Sequence, residues 1–354
     1  MSSIDTSAPV LVTGATGYVA GWVVKALLDA GATVHAAVRD PDNAEKLAHL
    51  VNLAANAPGE IKFFKADLLD EGSFAEAMAG CRIAFHTASP FTSKITDPQK
   101  DLVDPALNGT RNVLEEANRQ DSVERVVVTS SCAAIYGDNA DLADAPGGVL
   151  TEEIWNTSSS LDHVAYSYSK TVAEKAAWEI ANAQDRWRLV VVNPSFVLGP
   201  ALQPRPTSES FSLMKGFGDG TFKTGAPRIG IGTVDVRDLA VAHMRAGFLP
   251  DAEGRHIISN EETDFLGLAD KLRDTYGADY PLPKGPIPKW LAWLVGPMLN
   301  PMTTRKYIAR NVDIEWHADN SKGVEKLGMT YRPLKETLED MFAFMIEAGF
   351  FKRG

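Results

Sequence analysis

Tyr166 and Lys170, in the run Tyr166-Ser167-Tyr168-Ser169-Lys170, stand four residues apart. On a helix that spacing puts a phenol and an ammonium on one face, an arrangement suited to proton transfer. A positive charge about 4 Å away at an effective dielectric near 20 is worth roughly 4 kcal/mol, on the order of three pKa units, which predicts a phenol brought near neutrality. Tyr168 lies two residues from Lys170, on another side of such a helix, and reads as packing. A Ser-Ser pair, Ser130 and Ser131, closes an apolar run upstream at Val126-Val127-Val128-Thr129. If that run is a strand, its two serines point to opposite sides.

These groups need a scaffold. Val10-Leu11-Val12-Thr13 is a short apolar run ending in Gly14-Ala15-Thr16-Gly17-Tyr18-Val19-Ala20-Gly21, after which Val23, Val24, Leu27 and Leu28 recur at helical spacing. Strand, tight turn and helix in that order bring backbone close to a pyrophosphate and aim a helix N-terminus at it. Gly14, Thr16, Gly17, Tyr18 and Val19 are therefore expected to bind a dinucleotide. Further strands are predicted at Thr33 to Val38, Ile61 to Lys65, Ile83 to Thr87, Val126 to Thr129 and Leu189 to Val192, most of them spaced so that a helix fits between. The alternation implies an α/β fold, a Rossmann-type doubly wound parallel sheet with a smaller, discontinuous substrate-binding lobe. The dinucleotide-binding domain is expected over residues 1-199 and 227-262, and the lobe over 200-226 and 263-354. A last amphipathic helix is predicted from Leu334 to Ala348, with Leu338, Met341, Phe342 and Met345 on one face.

Cofactor choice is read where the second strand ends, Val38-Arg39-Asp40. Arg39 offers a planar cationic fork to a 2′-phosphate and Lys46 a second charge, which favours NADP(H), whereas Asp40 would chelate the ribose hydroxyls of NAD. Asp67 and Leu68 are expected at the adenine, with an Asp capping the helix near Phe74 as the structural alternative. Thr87, Ala88 and Ser89, small residues ending the fourth strand, would let the cofactor lie across them. Thr129 is also expected in the cofactor site. His86 and Ser130 read as structural, and Cys132 as a small buried residue without chemistry.

Size and composition fit a globular protein. The 354 residues are 45% apolar and 23% charged with a net charge of -11, and no basic run occurs. That balance argues against a nucleic-acid partner. Met1 to Ala8 is polar, and no 18-residue apolar stretch follows, so no membrane span is expected and the chain reads as cytoplasmic. Two cysteines, Cys81 and Cys132, make neither a disulfide framework nor a metal site.

The chain resembles extended short-chain dehydrogenase/reductases, in particular the dihydroflavonol reductase, cinnamoyl-CoA reductase and methylglyoxal/isovaleraldehyde reductase group. The pieces that match are VTGATGYVAG (12 to 21), VRDPDNAEK (38 to 46), HTASPF (86 to 91), VVVTSSCAAIYG (126 to 137), AYSYSKTVAEKAAWE (165 to 179), VVNPSFVLGP (191 to 200), VDVRDLAVAH (234 to 243) and LGMTYRPLKETLEDM (327 to 341). The resemblance implies that Ser131 hydrogen-bonds a substrate carbonyl, that Tyr166 donates the proton, and that Lys170 holds the nicotinamide ribose and lowers the Tyr166 pKa. It also places Pro194 and Ser195 beside the nicotinamide carboxamide and Tyr136 at a substrate-gating position. Phe91, Phe196 and the segment Trp290 to Met302 are expected to wall an apolar substrate pocket.

Departures from the family narrow the reading. The cinnamoyl-CoA reductase signature has Asn-Trp before the catalytic Tyr and Cys after it, where this chain has Val164-Ala165 and Ser167, which argues against thioester reduction. Ser131 is followed by Cys132 and Ala133 rather than the acidic pair of sugar-nucleotide dehydratases, so no acid is placed for water elimination. The expected function is reduction of an aldehyde or ketone, hydrophobic or aromatic, to the alcohol by NADPH, reversibly, in a monomer or homodimer. Rivals are an NAD(P)-dependent alcohol or hydroxysteroid-type dehydrogenase working oxidatively, and a non-catalytic NADP-binding redox sensor.

Overall fold

A computed structural model describes residues 4–89, 95–299 and 303–352. Its strands are β1 (Val10–Thr13), β2 (Thr33–Val38), β3 (Glu60–Lys65), β4 (Ile83–His86), β5 (Arg125–Thr129), β6 (Arg188–Pro194), β7 (Phe196–Leu198), β8 (Gly230–Asp235), β9 (Gly254–Ile258) and β10 (Glu262–Asp264). The helices are α1 (Tyr18–Asp29), α2 (Ala44–Ala55), α3 (Ala75–Met78), α4 (Asp104–Arg119), α5 (Ala165–Asn182), α6 (Glu209–Gly218), α7 (Val236–Phe248), α8 (Phe265–Tyr276), α9 (Lys289–Leu299), α10 (Arg305–Asn311), α11 (Ser321–Leu327) and α12 (Leu334–Glu347).

Seven strands pair in the order β3-β2-β1-β4-β5-β6-β9, every pairing parallel. A parallel sheet survives because both faces are covered. Val23, Val24, Leu27 and Leu28 of α1 are buried on one face with Val10 and Val12, while Leu11, Val126 and Val128 pack on the other with Val113 and Leu114 of α4. The strand order reverses between β1 and β4, and there the carboxyl ends open a crevice, the place where such sheets bind ligands.

Gly14 makes that crevice possible. Its φ of +62° is in the left-handed region, and a Cβ there would lie 2.9 Å from the Cβ of Ala88 after β4. Thr13 ties the two tips together, its carbonyl accepting from the Thr87 hydroxyl at 2.6 Å and its hydroxyl from the Ala88 N–H at 3.1 Å.

A second sheet, β10-β8-β7, pairs β8 antiparallel to β10 and parallel to β7. β7 and β8 thus lie outside the seven-stranded sheet and pair with β10. Pro194, although it lacks a backbone N–H, pairs opposite Ile258 of β9, and the next N–H, of Ser195, donates to the Ile258 carbonyl at 3.1 Å. Successive N–H groups point to opposite sides of a strand, so a proline removes a donor from one side only. Against this sheet α12 buries Leu338, Met341, Phe342 and Met345 with Phe211, Phe217 and Tyr280.

Of the Trp/Met segment, residues 300–302 lie outside the described residues. α9 turns Ala292 and Gly296 toward Ile308 of α10, where a Gly296 Cβ would meet Ile308 at 2.8 Å, so Trp290 (68% exposed) and Met298 (84%) look outward. Trp293 lies under the Arg305 guanidinium, 4.5 Å from the ring centroid.

Candidate active site

β5 ends at Thr129, and Ser131 follows in extended conformation as the N-cap of a tight turn, its Oγ accepting the Ala133 N–H at 3.1 Å. α5 delivers the other two groups. Tyr166 lies in its first turn, 47% exposed at the open side of the cleft, and Lys170 one turn later. The residue before α5, Val164, has φ 51° and ψ 50°, an unusual left-handed conformation for a β-branched side chain.

The Lys170 ammonium lies 5.9 Å from the Tyr166 ring centroid and donates to Ser89 Oγ at 3.3 Å. One cavity at the carboxyl ends of β4 and β5 is shared by Leu68, Ala88, Ser89, Thr129, Lys170 and Glu174. Residues as far apart in sequence as Leu68 and Glu174 thus converge at the carboxyl ends of β4 and β5.

Electrostatics here differ from the expectation. Tyr166 is not brought toward neutrality: crowding within the cleft pushes its phenol up to about 12, the Glu209 carboxylate adds to the rise, and the Ser131 hydroxyl opposes it. Desolvation is the largest cause of the rise. Lys170 moves instead, burial pulling it down to about 8 while the Glu174 carboxylate opposes the fall.

Behind the site lies a polar cluster that sequence reasoning missed. Glu174, one turn beyond Lys170, is buried and accepts from Ser130 Oγ, from Asn193 Nδ2 at 2.8 Å and from Arg255 Nε at 2.6 Å. Arg255 also donates to the carbonyls of Glu152 and Ile154 and stacks on Trp155 at 4.0 Å. The cluster pins α5 to β5, β6 and β9. The Glu174 spacing from Lys170 was the available signal; Asn193 and Arg255 gave none.

The other predicted residues fall in distinct places. No side chain caps α1, so the amides at its N-terminus, following Gly17, have no side-chain acceptor. Thr16 and Val19 are half-buried in that turn. Tyr18 turns away: its ring is buried against Phe211 and its hydroxyl donates to the Gly199 carbonyl at 2.7 Å, so only its backbone faces the turn. Arg39 and Lys46 are exposed at the β2 end and no ion pair engages either side chain among the described residues. Asp67 does not cap α3; its Oδ1 accepts the Leu69 N–H at 2.9 Å. The Thr129 hydroxyl is engaged at 2.7 Å by His243, which burial pulls down to about 4. His86 is buried between the hydroxyls of Thr13 and Thr110, and burial drives the Cys132 thiol up. Tyr136 packs on Trp316 with ring centroids 6.1 Å apart, and Phe196 on Phe265 at 6.3 Å. Phe91 lies outside the described residues.

Uncapped amides at α1 and unpaired cations at the end of β2 are a donor set that fits a dinucleotide with an additional phosphate. A doubly wound sheet with such a crevice is a nucleotide-binding architecture, and Ser131, Tyr166 and Lys170 lie near one another on its carboxyl side. Residues 10–251 match the model of the NAD dependent epimerase/dehydratase family. Cinnamoyl-CoA reductase CAD2 of Medicago truncatula is 40% identical over 281 residues, 78% of this chain and 83% of that protein. Tetraketide alpha-pyrone reductase 1 of Arabidopsis thaliana is 35% identical over 347 residues, 96% of each chain. The crystal structure of Gre2 from Candida albicans in complex with NADPH superposes with a TM-score of 0.75 at 28% identity, covering 96% of this chain and 99% of that one. The chain belongs to this family, in its extended short-chain dehydrogenase/reductase branch, and is an oxidoreductase acting on CH–OH/C=O groups with a nicotinamide dinucleotide as cofactor.

Among the described residues, no helix is long and apolar enough to cross a membrane.

Proposed function

We propose that the protein is an NADPH-dependent carbonyl reductase that converts an uncharged aldehyde or ketone, hydrophobic or aromatic, to its alcohol with Tyr166 as proton donor. The observation that carries this reading is the convergence of Ser131, Tyr166 and Lys170 on one cleft beside the β1–β4 crevice. When bound, the reduced nicotinamide supplies hydride to the carbonyl carbon. Ser131 Oγ, already fixed by the Ala133 N–H, donates to the carbonyl oxygen and polarises it. The Tyr166 phenol, held up to about 12, stays protonated at neutral pH and passes its proton to the same oxygen as negative charge develops there. Lys170 is the cation on that side of the cleft and offsets the charge left on the phenolate while bonding the cofactor ribose.

Gly14, Gly17 and the α1 amides would receive the pyrophosphate, and Arg39 with Lys46 the 2′-phosphate, which supports NADPH over NADH. Asp67 and Leu68 would meet the adenine, Thr87 to Ser89 the cofactor's middle, and Pro194 and Ser195 the carboxamide. Residues 200-226 and 263-354 would form the lobe over the substrate, with Phe196 and Tyr136 on the inner side.

Incubating the protein with NADPH and aryl ketones, α-dicarbonyls, short aldehydes, flavanone-type compounds and acyl-CoA thioesters tests the assignment. NADPH oxidation with an uncharged carbonyl is expected; oxidation with thioesters alone would replace the substrate class, and none with any compound would overturn the reading.

A further inference from the structure

The segments that follow Ser131 and precede Tyr166 meet at one buried carboxylate. Asp138 Oδ2 lies 2.8 Å from His163 Nε2 and accepts from Arg310 Nε at 2.6 Å, while its Oδ1 accepts from Asn311 Nδ2 at 2.6 Å. Arg310 reaches on to Asp141 Oδ1 at 2.7 Å, and Asp141 in turn accepts the Gly137 and Asp138 N–H groups and the Ser158 hydroxyl. Asn311 Oδ1 accepts the Asn139 N–H at 2.9 Å. Three pieces of chain are joined here: the stretch leaving Ser131, the stretch entering α5, and α10.

His163 is held on both sides. Its backbone exchanges two hydrogen bonds with Ser160, and its ring is locked to Asp138. The next residue is Val164, whose left-handed conformation persists only where its surroundings over-determine it. The Val164 carbonyl accepts the Tyr168 N–H at 3.2 Å, so the rotation of the first turn of α5 follows from how Val164 is held.

We propose that Asp138 and His163 are positioning residues. Through Val164 they set the orientation of Tyr166 against Ser131, and Arg310 ties that setting to α10. The inference rests on Tyr166 being the proton donor, but its structural half does not need turnover to be tested. A buried carboxylate paired with an arginine, as Asp138 is with Arg310, is a weak source of net stability and is better suited to fixing register.

His163→Leu removes the ring donor and keeps bulk, whereas His163→Gln returns a nitrogen donor at comparable reach. In His163→Leu, amide exchange at Tyr168 to Lys170 is expected to accelerate at least about tenfold and kcat to fall at least about tenfold, with KM for NADPH within about twofold, since misplacement of a reacting group lowers rate more than binding. His163→Gln is expected to restore both to within about threefold of the starting protein. Unchanged exchange and kcat in His163→Leu, or equal losses in the two variants, would overturn the proposal. Should His163→Leu not fold, Arg310→Met tests the same carboxylate from its solvent side, with the same expected acceleration and the same overturning result. A parent protein that oxidises no NADPH would defeat the proposed function while the exchange measurement still decides this one.

Discussion

Lys170 donates to the Ser89 hydroxyl at 3.3 Å while its ammonium lies 5.9 Å from the Tyr166 ring centroid. The lysine thus bridges the segment after β4 and helix α5. Tyr166 remains a neutral acid, pushed up to about 12, and Lys170 titrates first, at about 8.

The pH profile follows from that order. Below about 8 Lys170 carries its charge and Tyr166 its proton; as pH rises through 8 the ammonium is lost while the phenol stays protonated. The carbonyl-reduction kcat/KM is expected to fall above about pH 8, and Lys170→Arg, charged throughout, to move the fall upward in a profile recorded from about pH 6 to about pH 10. A profile unchanged by Lys170→Arg would place the titrating group elsewhere.

Tyr166→Phe removes the proton and leaves the ring. The expected loss in kcat is about 100- to 10,000-fold, the usual contribution of a general acid, with NADPH affinity measured by fluorescence within about twofold of the starting protein.

Arg39→Ala should raise KM for NADPH about ten- to a hundredfold and leave that for NADH unchanged, because hydrogen bonds to a charged group contribute about 1.5–3 kcal/mol. Steady-state kinetics with both cofactors measure the difference. Equal effects on the two would detach Arg39 from the 2′-phosphate.

Gly14→Ala places a methyl group 2.9 Å from the Ala88 Cβ at a φ of +62°. The backbone strain alone is worth about 1–2 kcal/mol. Opening of the Gly14 turn is expected to abolish NADPH binding in calorimetric titration before it unfolds the protein.

Arg255→Met strands Glu174, a residue only 1% exposed at its side chain, without its 2.6 Å partner. Breaking a buried pair from one side typically costs about 3–5 kcal/mol, and chemical denaturation should record a loss of that size. Arg255→Met combined with Glu174→Gln should recover part of it.

Where local pattern determines structure, the sequence was readable. β1 and β2 are β-rich runs and fell on their expected residues, and Gly14 marked the turn because no other residue takes φ +62° beside Ala88 without strain. β9 was missed: Arg255 and His256 interrupt its apolar pattern, although both are buried. Tyr166 and Lys170 were found by helical spacing, but the phenol's rise was not, because it comes from crowding and from Glu209, which only tertiary structure brings near. Trp290 and Met298 are exposed, and the sequence could not show it, because an aromatic stripe looks the same whether it faces a pocket or water. Tyr18 stood inside the right motif with its ring in the other direction, and the Asp138 cluster joins residues 172 apart.

The helix that starts at the phosphate turn is also bolted to the far side of the molecule, since Tyr18 and Trp22 donate to the carbonyls of Gly199 and Pro200 at 2.7 and 2.9 Å. Those carbonyls open the stretch leading to α6 and its Glu209. Two direct hydrogen bonds thus join α1 to the beginning of that stretch, so the phosphate-turn helix and the segment carrying Glu209 share one anchor.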